Sequence, residues 1–411
     1  MRKGLGRHNY RSAGGPQPSL VLDFAGTGTL DPRVTFTRST TGTYYNSSGV
    51  LSTAAINAPR FDYNPSTLAP LGLLIEQSST NLLTYSQDFS NAVWNKTVTL
   101  GGTTTAPDGT NTGQLIYPSV SGAFRVAYQV TAGLTLGKYT WTVYGKAQNK
   151  SWLYFNPPGG GTVNIYFNLS TNQVGTIASG YTASIQDVGN GWRRCVVTDT
   201  TNQTYSFGAI IGVCDADNSG TATKNGTDGI YIWGSQTENL TFPTSYIPTT
   251  SAQVTRASDN ASMTGTNFSS WYNQSQGTLY AESSTADTFP TAFAVGDTTA
   301  NNRIQVGLCP IAGLGLRSYV ITNGVQQNNV TVGNYTLRSF AKIALSCISG
   351  AFTGAFNGTA SSTATGNMPV CTQATIGQAN YTGQYQNGTF KKIAYYPVTL
   401  TNAQLQSLTG S

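Results

Sequence analysis

The chain has 411 residues, only 9% of them charged, and a formal net charge of +6. Its one histidine, His8, lies in the N-terminal tail, and its sixteen acids are scattered along the chain. Because proton transfer and metal chemistry depend mostly on imidazole and carboxylate groups, this composition argues against an enzyme. It favours a binding or structural protein.

The N-terminal tail holds most of the net charge. Four cations precede the first acid, Asp23, and supply +4 of the total +6, which leaves about +2 for the rest. With no basic stripe on the folded part, we expect no nucleic-acid partner. The tail is either a solvated end or a basic arm that orders against an acidic or concave partner during assembly, and as an arm its attachment residues are Arg2, Lys3, Arg7 and Arg11.

Residues 1–75 are expected to form an extended attachment arm with little core of their own. Short extended pieces, Leu20 to Phe24 and Arg33 to Thr37, are separated here by Gly, Thr and Pro. Residues 1–18 lack the apolar centre of a secretory signal, and no run approaches the roughly 20 apolar residues of a membrane span. We therefore expect synthesis in a cytosol and no membrane insertion.

Residues 76–255 alternate between apolar and polar side chains with a period of two, which is typical of strands with one buried face. Tyr139, Trp141 and Val143 share one face, and Thr142 and Tyr144 point the other way. Turn-rich segments of Gly, Asn and Pro separate these strands. The pattern predicts a jelly roll, with Trp192 and Trp233 assigned to its core.

A second strand series occupies residues 256–411, after a polar stretch. The only helix signal is the last, where Thr401 can cap, Gln404 follows three residues later, and Leu405 and Leu408 share a face. The predicted fold is therefore all-β, with two antiparallel β-sandwich (jelly-roll) domains preceded by an extended N-terminal arm. The odd, widely spaced cysteines are predicted to be free thiols packed as small apolar groups: Cys195, Cys214, Cys309, Cys347 and Cys371.

Two sets of motifs resemble a known group of proteins. The first set is L22-D-F, L30-D-P-R-V-T-F-T-R-S, P59-R-F-D-Y and G72-L-L-I-E-Q. It resembles the N-terminal signature of tailed-bacteriophage virion proteins of the head-fibre, head-spike, decoration and tail-fibre type. The second set is A106-P-D-G-T, V188-G-N-G-W-R-R-C and I230-Y-I-W-G-S-Q-T-E, which is similar to the carbohydrate-binding-module-like jelly roll of those proteins.

The C-terminal series, from G277-T-L-Y-A-E to residues 391–409, is similar to a concanavalin A/laminin-G-like sandwich. Together the resemblances imply a virion surface protein whose β-domains bind glycans. They imply location on the virion, and partners among the other virion proteins (capsid, portal or tail), contacted through the N-terminal region. A host surface glycan is the further partner, and a homotrimer is the implied assembly, since no heptad stalk occurs.

Sugars present apolar C–H faces and rims of hydroxyls, so a binding site combines aromatic platforms with amide or charged groups. Trp152 and Tyr154 share one face of a strand whose other face carries Leu153 and Phe155. This pattern predicts glycan or subunit contact for Trp152 and Tyr154, with packing beneath a loop as the alternative. A loop before the final strand supplies the other candidates: Tyr381, Gln384, Tyr385 and Asn387.

No cofactor is expected, with one exception for a structural ion. Asp215, Asp217 and Ser219 alternate in a Gly-containing turn, which suits Ca²⁺, although an ordinary Asx-rich turn is the simpler interpretation. The functional hypothesis is a phage fibre, spike or decoration subunit. The alternatives are a lectin-like adhesin outside a virion and a polysaccharide depolymerase, which would require two carboxyls converging in a cleft.

Overall fold

The computed structural model describes residues 15–123, 126–130, 134–156, 164–205, 208–311, 313–379 and 384–410. The basic residues Arg2, Lys3, Arg7 and Arg11 lie outside the described residues, as does Tyr381. The first elements of the described chain are β1 (Leu20–Asp23), α1 (Phe24–Thr27), β2 (Thr35–Thr37), β3 (Gly42–Tyr45), β4 (Leu51–Ala54), β5 (Arg60–Tyr63), β6 (Pro70–Ile75) and β7 (Ser79–Asn81).

A jelly roll follows, built from two six-stranded antiparallel sheets with the orders β18-β19-β14-β23-β10-β9 and β17-β16-β15-β21-β12-β8. Its strands are β8 (Trp94–Lys96), β9 (Val98–Thr104), β10 (Gly113–Pro118), β11 (Gly122–Ala123), β12 (Val126–Gln129), β13 (Leu134–Gly137), β14 (Thr140–Ala147), β15 (Trp152–Phe155), β16 (Ile165–Asn168), β17 (Gln173–Val174), β18 (Tyr181–Asp187), β19 (Trp192–Asp199), β20 (Gln203–Tyr205), β21 (Ala209–Cys214), β22 (Thr221–Ala222) and β23 (Ile230–Glu238). The predicted inward residues Tyr139, Trp141 and Val143 lie in the core between the two sheets.

The remaining elements are β24 (Val254–Arg256), β25 (Asn260–Thr264), α2 (Thr266–Ser269), β26 (Gln276–Ser283), β27 (Phe293–Gly296), β28 (Arg303–Leu308), β29 (Leu316–Thr322), β30 (Val325–Asn328), β31 (Thr331–Val332), β32 (Ala341–Ile348), β33 (Ala351–Phe356), β34 (Thr359–Ala360), β35 (Gln373–Ile376), β36 (Gly388–Tyr396) and α3 (Asn402–Thr409). The predicted capping box is present at the start of α3. The all-β prediction, with antiparallel sheets stacked into sandwiches, is confirmed. None of the described helices is long and apolar enough to cross a membrane.

The second sandwich uses strands from both ends of the chain. One sheet has the order β34-β33-β32-β26-β36-β6-β5, with β1 also paired to β36, and the other has the order β2-β25-β35-β27-β28-β29-β30. Leu20, Leu22, Leu73 and Ile75 pack in its core with residues such as Ile393. This placement differs from the expected division, because four strands within residues 20–75 (β1, β2, β5 and β6) complete the C-terminal sandwich instead of forming a separate arm.

The jelly roll is inserted into the second sandwich. Strand β7, just before the jelly roll, pairs with β24, just after it, so the two form a ribbon at the point of insertion. The hairpin β3–β4 then packs on the outer face of the jelly roll, where Tyr45 and Leu51 contact a cluster that includes Tyr144, Trp233 and Tyr246. Trp192 and Trp233 are buried as predicted, but in this junction and not between the two jelly-roll sheets.

Ion pairs hold the junction together from inside. The carboxylate of Asp259 accepts hydrogen bonds from Arg38, at 3.1 Å, and from Arg60, while Arg60 also donates to Glu76 at 2.8 Å. Arg256 lies 3.5 Å from the same Glu76 oxygen. All five side chains are almost fully buried. Burial alone would raise the pKa of Glu76, but Arg256 and Arg60 outweigh it and hold that pKa at about 2.

Candidate functional site: the cleft between the sandwiches

A cleft lined by aromatic, acidic, basic and amide side chains lies where the jelly roll meets the second sandwich. This inter-sandwich cleft has a volume of about 230 Å³. The N-terminal segment contributes Tyr44 and Asp62, the jelly roll contributes Arg194, and the second sandwich contributes Arg338 and Asn387. Ligand sites occur preferentially at such boundaries between domains, because two scaffolds can present groups to one space.

Tyr44 is the aromatic side chain that the cleft presents to solvent. In β3, successive side chains alternate, so Tyr45 turns into the buried junction while its neighbour Tyr44 stays half-buried. Tyr144 and Tyr246 also line the cleft but are almost completely buried. The ring of Tyr44 is therefore the surface on which an apolar ligand face can stack.

Asp62 lies on the floor of the cleft. Its Oδ1 accepts a hydrogen bond from the backbone N–H of Tyr45 at 2.7 Å, which fixes the carboxyl in place. Burial raises the pKa of Asp62 to about 7, although that hydrogen bond and the charge of Arg60 act in the opposite direction. Near neutral pH, this carboxyl is therefore present in both its protonated and its ionised forms.

Glu76 is the second carboxyl lining the cleft, but protein groups already occupy its oxygens. The backbone N–H and the hydroxyl of Ser245 each donate to it at 2.7 Å, and Arg60 donates to it as well. Hydrolysis of a glycosidic bond by two carboxyls needs both of them at the substrate. Among the described residues of the cleft, only Asp62 is placed to act as a carboxyl group at a substrate.

Arg194 projects into the cleft from β19. One of its Nη atoms donates to the carbonyl of Thr244, and its guanidinium lies 5.8 Å from the centre of the Tyr144 ring. Its Nε–H is buried and has no hydrogen-bond partner within the described part of the chain. A buried donor without a partner costs free energy, and a ligand acceptor in the cleft would recover it.

The other sequence-predicted residues are dispersed. Asn387 lines the cleft, where its amide contacts Gln77 and Asp287. Gln384 accepts a hydrogen bond from Gln305 at 3.0 Å, on the sheet that contains β28, and Tyr385 packs against the core of the second sandwich. These three residues therefore contact different parts of the structure around the loop.

Trp152 and Tyr154 share a face as predicted, but that face is largely covered. Tyr154 is 0% exposed and packs against Tyr166 and Gly212, so it is not available to a ligand or a subunit. Trp152 is half-buried beside a shallow polar depression that includes Asn168. The alternative interpretation is packing beneath a loop, but Tyr154 is buried on the sheet, where its strand lies between β16 and β21.

The acidic turn is an ordinary turn whose oxygens are already used. Asp215 pairs with Lys150 and accepts from Thr223, whereas Asp217 accepts from the backbone N–H of Thr176 at 2.8 Å. Ser219 contacts the hydroxyl of Thr221. The predicted ligands therefore face different partners and do not converge. In the described residues, no group of three or more His, Cys, Asp or Glu side chains is arranged to hold a metal ion.

The five cysteines are free and buried, as predicted. Burial raises the pKa of Cys214 and of Cys371 to about 12, so these thiols stay protonated at neutral pH. They act as small apolar side chains, and they contribute no nucleophile to the cleft.

No protein-family model matches the chain, and neither does any curated protein. Among solved structures, domain 4 of AbnA, a GH43 extracellular arabinanase from Geobacillus stearothermophilus in complex with arabinotriose, is similar at 15% identity. That match covers 42% of this chain and 83% of that domain, with a TM-score of 0.30. The Ruminococcus gnavus IT-sialidase CBM40 bound to α2,3-sialyllactose matches at 14% identity, 35% of this chain, 88% of that one and a TM-score of 0.31. TM-scores this low do not establish a shared fold.

Proposed function

We propose that this protein binds glycans, and that the ligand occupies the inter-sandwich cleft. The observation that carries the proposal is that two complementary groups line the same cleft: the half-buried ring of Tyr44, and the Arg194 guanidinium with its unpartnered Nε–H. An aromatic ring stacks on the apolar C–H face of a sugar, while fixed polar groups satisfy its hydroxyls. No second free carboxyl accompanies Asp62 among the described cleft residues, which favours binding over hydrolysis.

The cleft and the Trp152 face are rival sites, and two alanine variants separate them. The full chain is screened on a glycan array, and affinity for the best ligand is measured by calorimetry. Tyr44→Ala removes the ring in the cleft and should weaken binding about tenfold or more. Trp152→Ala, which removes the partly exposed ring of the outer face, should leave the affinity within about twofold.

Loss of binding in Trp152→Ala with full affinity in Tyr44→Ala would move the site to the outer face of the jelly roll.

The same samples are analysed for shortened glycan products. Release of products by the wild type, abolished in Asp62→Asn, would replace the binding function by a depolymerase. Absence of any glycan ligand on the array would remove the proposed function.

We further propose that the protein is displayed on a virion as a fibre, spike or decoration subunit. This proposal is supported by the N-terminal motifs that resemble phage virion proteins, and it includes attachment through the basic tail and assembly as a homotrimer.

Particles are purified with the full-length chain or with a chain lacking residues 1–18. We expect only the full-length chain on particles; incorporation of both forms would assign attachment to later residues. Failure of either form to join particles would favour a free lectin-like adhesin.

A further inference from the structure

The arginines of the cleft differ from three fully buried arginines of the chain in exposure and in partners, since Arg194 is partly buried and Arg338 is exposed. Arg38, Arg60 and Arg256 are buried, and each lies within 4.0 Å of a carboxylate. Arg194 and Arg338 both line the cleft, and neither forms an ion pair with any carboxylate in the described part of the chain. The cleft thus contains two positive charges without a counter-charge in contact.

Arg338 reaches the cleft from a strained turn. Its backbone has φ 66°, a left-handed conformation that non-glycine residues other than Asn and Asp seldom adopt. The backbone N–H of Arg338 donates to the carbonyl of Thr285, which ties the turn to the second sandwich. Its guanidinium contacts the hydroxyl of Ser184 on the jelly roll at 3.4 Å. Strain of this kind is often found where a side chain must be presented to a ligand.

The two guanidiniums come from different sandwiches and face one space. Arg194 belongs to β19 of the jelly roll, whereas Arg338 precedes β32 of the second sandwich. Desolvation at the cleft and the positive charge of Arg194 both lower the pKa of Arg338, which is consistent with their proximity. Both guanidiniums would attract an anion that binds between them.

The cleft continues past Arg338 into a second cavity of about 360 Å³. The two cavities share Ser184, Val196, Ala286 and Arg338, so Arg338 lies at their junction. The continuation is lined by hydroxyl and apolar groups, among them Thr182, Thr198, Thr241 and Leu337. A chain longer than one sugar residue can therefore pass the arginines and continue along neutral polar surface.

Two carboxyls also face the cleft, and they affect its charge differently. Glu76 is neutralised by Arg60 and Arg256. Asp62 has no arginine or lysine within ion-pair distance in the described residues, and its ionised form offsets one of the two free positive charges. The net charge of the cleft is therefore positive even when Asp62 is ionised.

We propose that the glycan held in this cleft is acidic, with an anionic substituent, a carboxylate or a sulfate, bound between Arg194 and Arg338. Guanidinium groups form charge-assisted hydrogen bonds to both kinds of oxyanion. This inference rests on the proposed glycan-binding function and adds the ligand class.

Matched ligand pairs test the charge requirement on the full chain. Tetragalacturonate is compared with its methyl ester, and dextran sulfate with dextran, by calorimetry at low and physiological salt. We expect the acidic member of at least one pair to bind about tenfold or more tightly than its neutral partner, with the advantage reduced by salt. The pair that shows the preference identifies carboxylate or sulfate as the preferred group.

Arginine variants locate that preference. Arg194→Gln and Arg338→Gln should each remove most of the difference between acidic and neutral ligands, and their melting curves verify the fold. Arg317→Gln is the matched control, because Arg317 also lacks an ion pair among the described residues but stacks on Phe289 and Tyr319 away from the cleft. The Arg317→Gln variant should keep the wild-type preference for acidic over neutral ligands.

Equal binding of acidic and neutral ligands, or a preference that survives both cleft variants, would overturn the inference. So would an array on which only neutral glycans bind, although the proposed function would then still stand. An array with no ligand at all would remove the proposed function itself. The two failures are therefore distinguishable.

Discussion

Single residues explain why the N-terminal motifs have the composition they have. Arg38 of T-F-T-R-S, Arg60 of P-R-F-D-Y and Glu76 of G-L-L-I-E-Q all belong to the buried ion-pair network, together with Arg256 and Asp259. Charged groups this deeply buried must be paired, since an isolated charge in the interior is very costly. Their role inside this chain is therefore to join the N-terminal segment to residues 256–259, which lead from the jelly roll into the second sandwich.

Asp259→Asn should destabilise the fold strongly. Asp259 pairs with both Arg38 and Arg60, so the neutral amide would leave two buried guanidiniums short of negative charge. Removing one partner of a buried ion pair typically costs about 3–5 kcal/mol. Chemical unfolding followed by tryptophan fluorescence measures the change in free energy.

The matched control is Asp31→Asn, which breaks the partly solvent-accessible pair between Asp31 and Arg33. An ion pair near the surface contributes about 0–1 kcal/mol, so this variant should unfold almost as the wild type does. Similar losses of unfolding free energy in both variants would mean that the buried Asp259 network stabilises the fold no more than the Asp31–Arg33 pair does.

At the scale of elements, the helix α3 closes the outer face of one sheet. Leu405 packs with Tyr280, Ala344 and Ala394 of β26, β32 and β36. The hydroxyl of Thr401 accepts a hydrogen bond from the N–H of Gln404, whose side chain accepts one from the N–H of Thr401 in return. Local sequence therefore specifies both the start of α3 and its buried face.

Thr401→Ala should cost about 1 kcal/mol, because it removes the cap at the start of α3. Thr399→Ala is the control, since Thr399 precedes the helix and takes no part in the capping box. It should change the free energy of unfolding by less than about 0.5 kcal/mol. An equal effect of the two substitutions in urea titrations would show that the cap does not stabilise α3.

The strands show where local pattern stops being informative. The alternation at residues 139–144 correctly separated Trp141 and Val143, which face the jelly-roll core, from Tyr144. It did not show that the opposite face, with Tyr144, would be covered by the hairpin β3–β4 from a distant part of the chain. Periodicity reports which side chains share a face, and contacts across the sequence decide what covers it.

At the scale of the whole molecule, the jelly roll is an insertion in a sandwich made from both ends of the chain. Strand β36 pairs with β26 on one edge and with β1 and β6 on the other. The second sandwich therefore cannot be completed without residues 20–75. The cleft exists because this topology presses the jelly roll, the N-terminal hairpin and the second sandwich together.

Residues 256–411 expressed alone should fail to fold. They lack β1, β2, β5 and β6, and with them the core side chains Leu20, Leu22, Leu73 and Ile75. Residues 82–253, which contain every strand of the two jelly-roll sheets, should instead melt cooperatively. Circular dichroism and thermal melting compare the two pieces; cooperative melting of residues 256–411 would contradict the shared-sandwich topology.

The sequence by itself determined the all-β class, the face assignments of regular strands, the free cysteines and the capped final helix. Each of these follows from side-chain periodicity or from interactions within a few residues. Arg194 lies within a motif that the sequence analysis quoted, G-W-R-R-C. Its place in the cleft could not be predicted from that motif, because the other cleft residues Tyr44, Asp62 and Arg338 are up to 150 residues away in the sequence. The cleft was decided by tertiary structure alone, because it depends on an insertion and on strand pairing between the two ends of the chain.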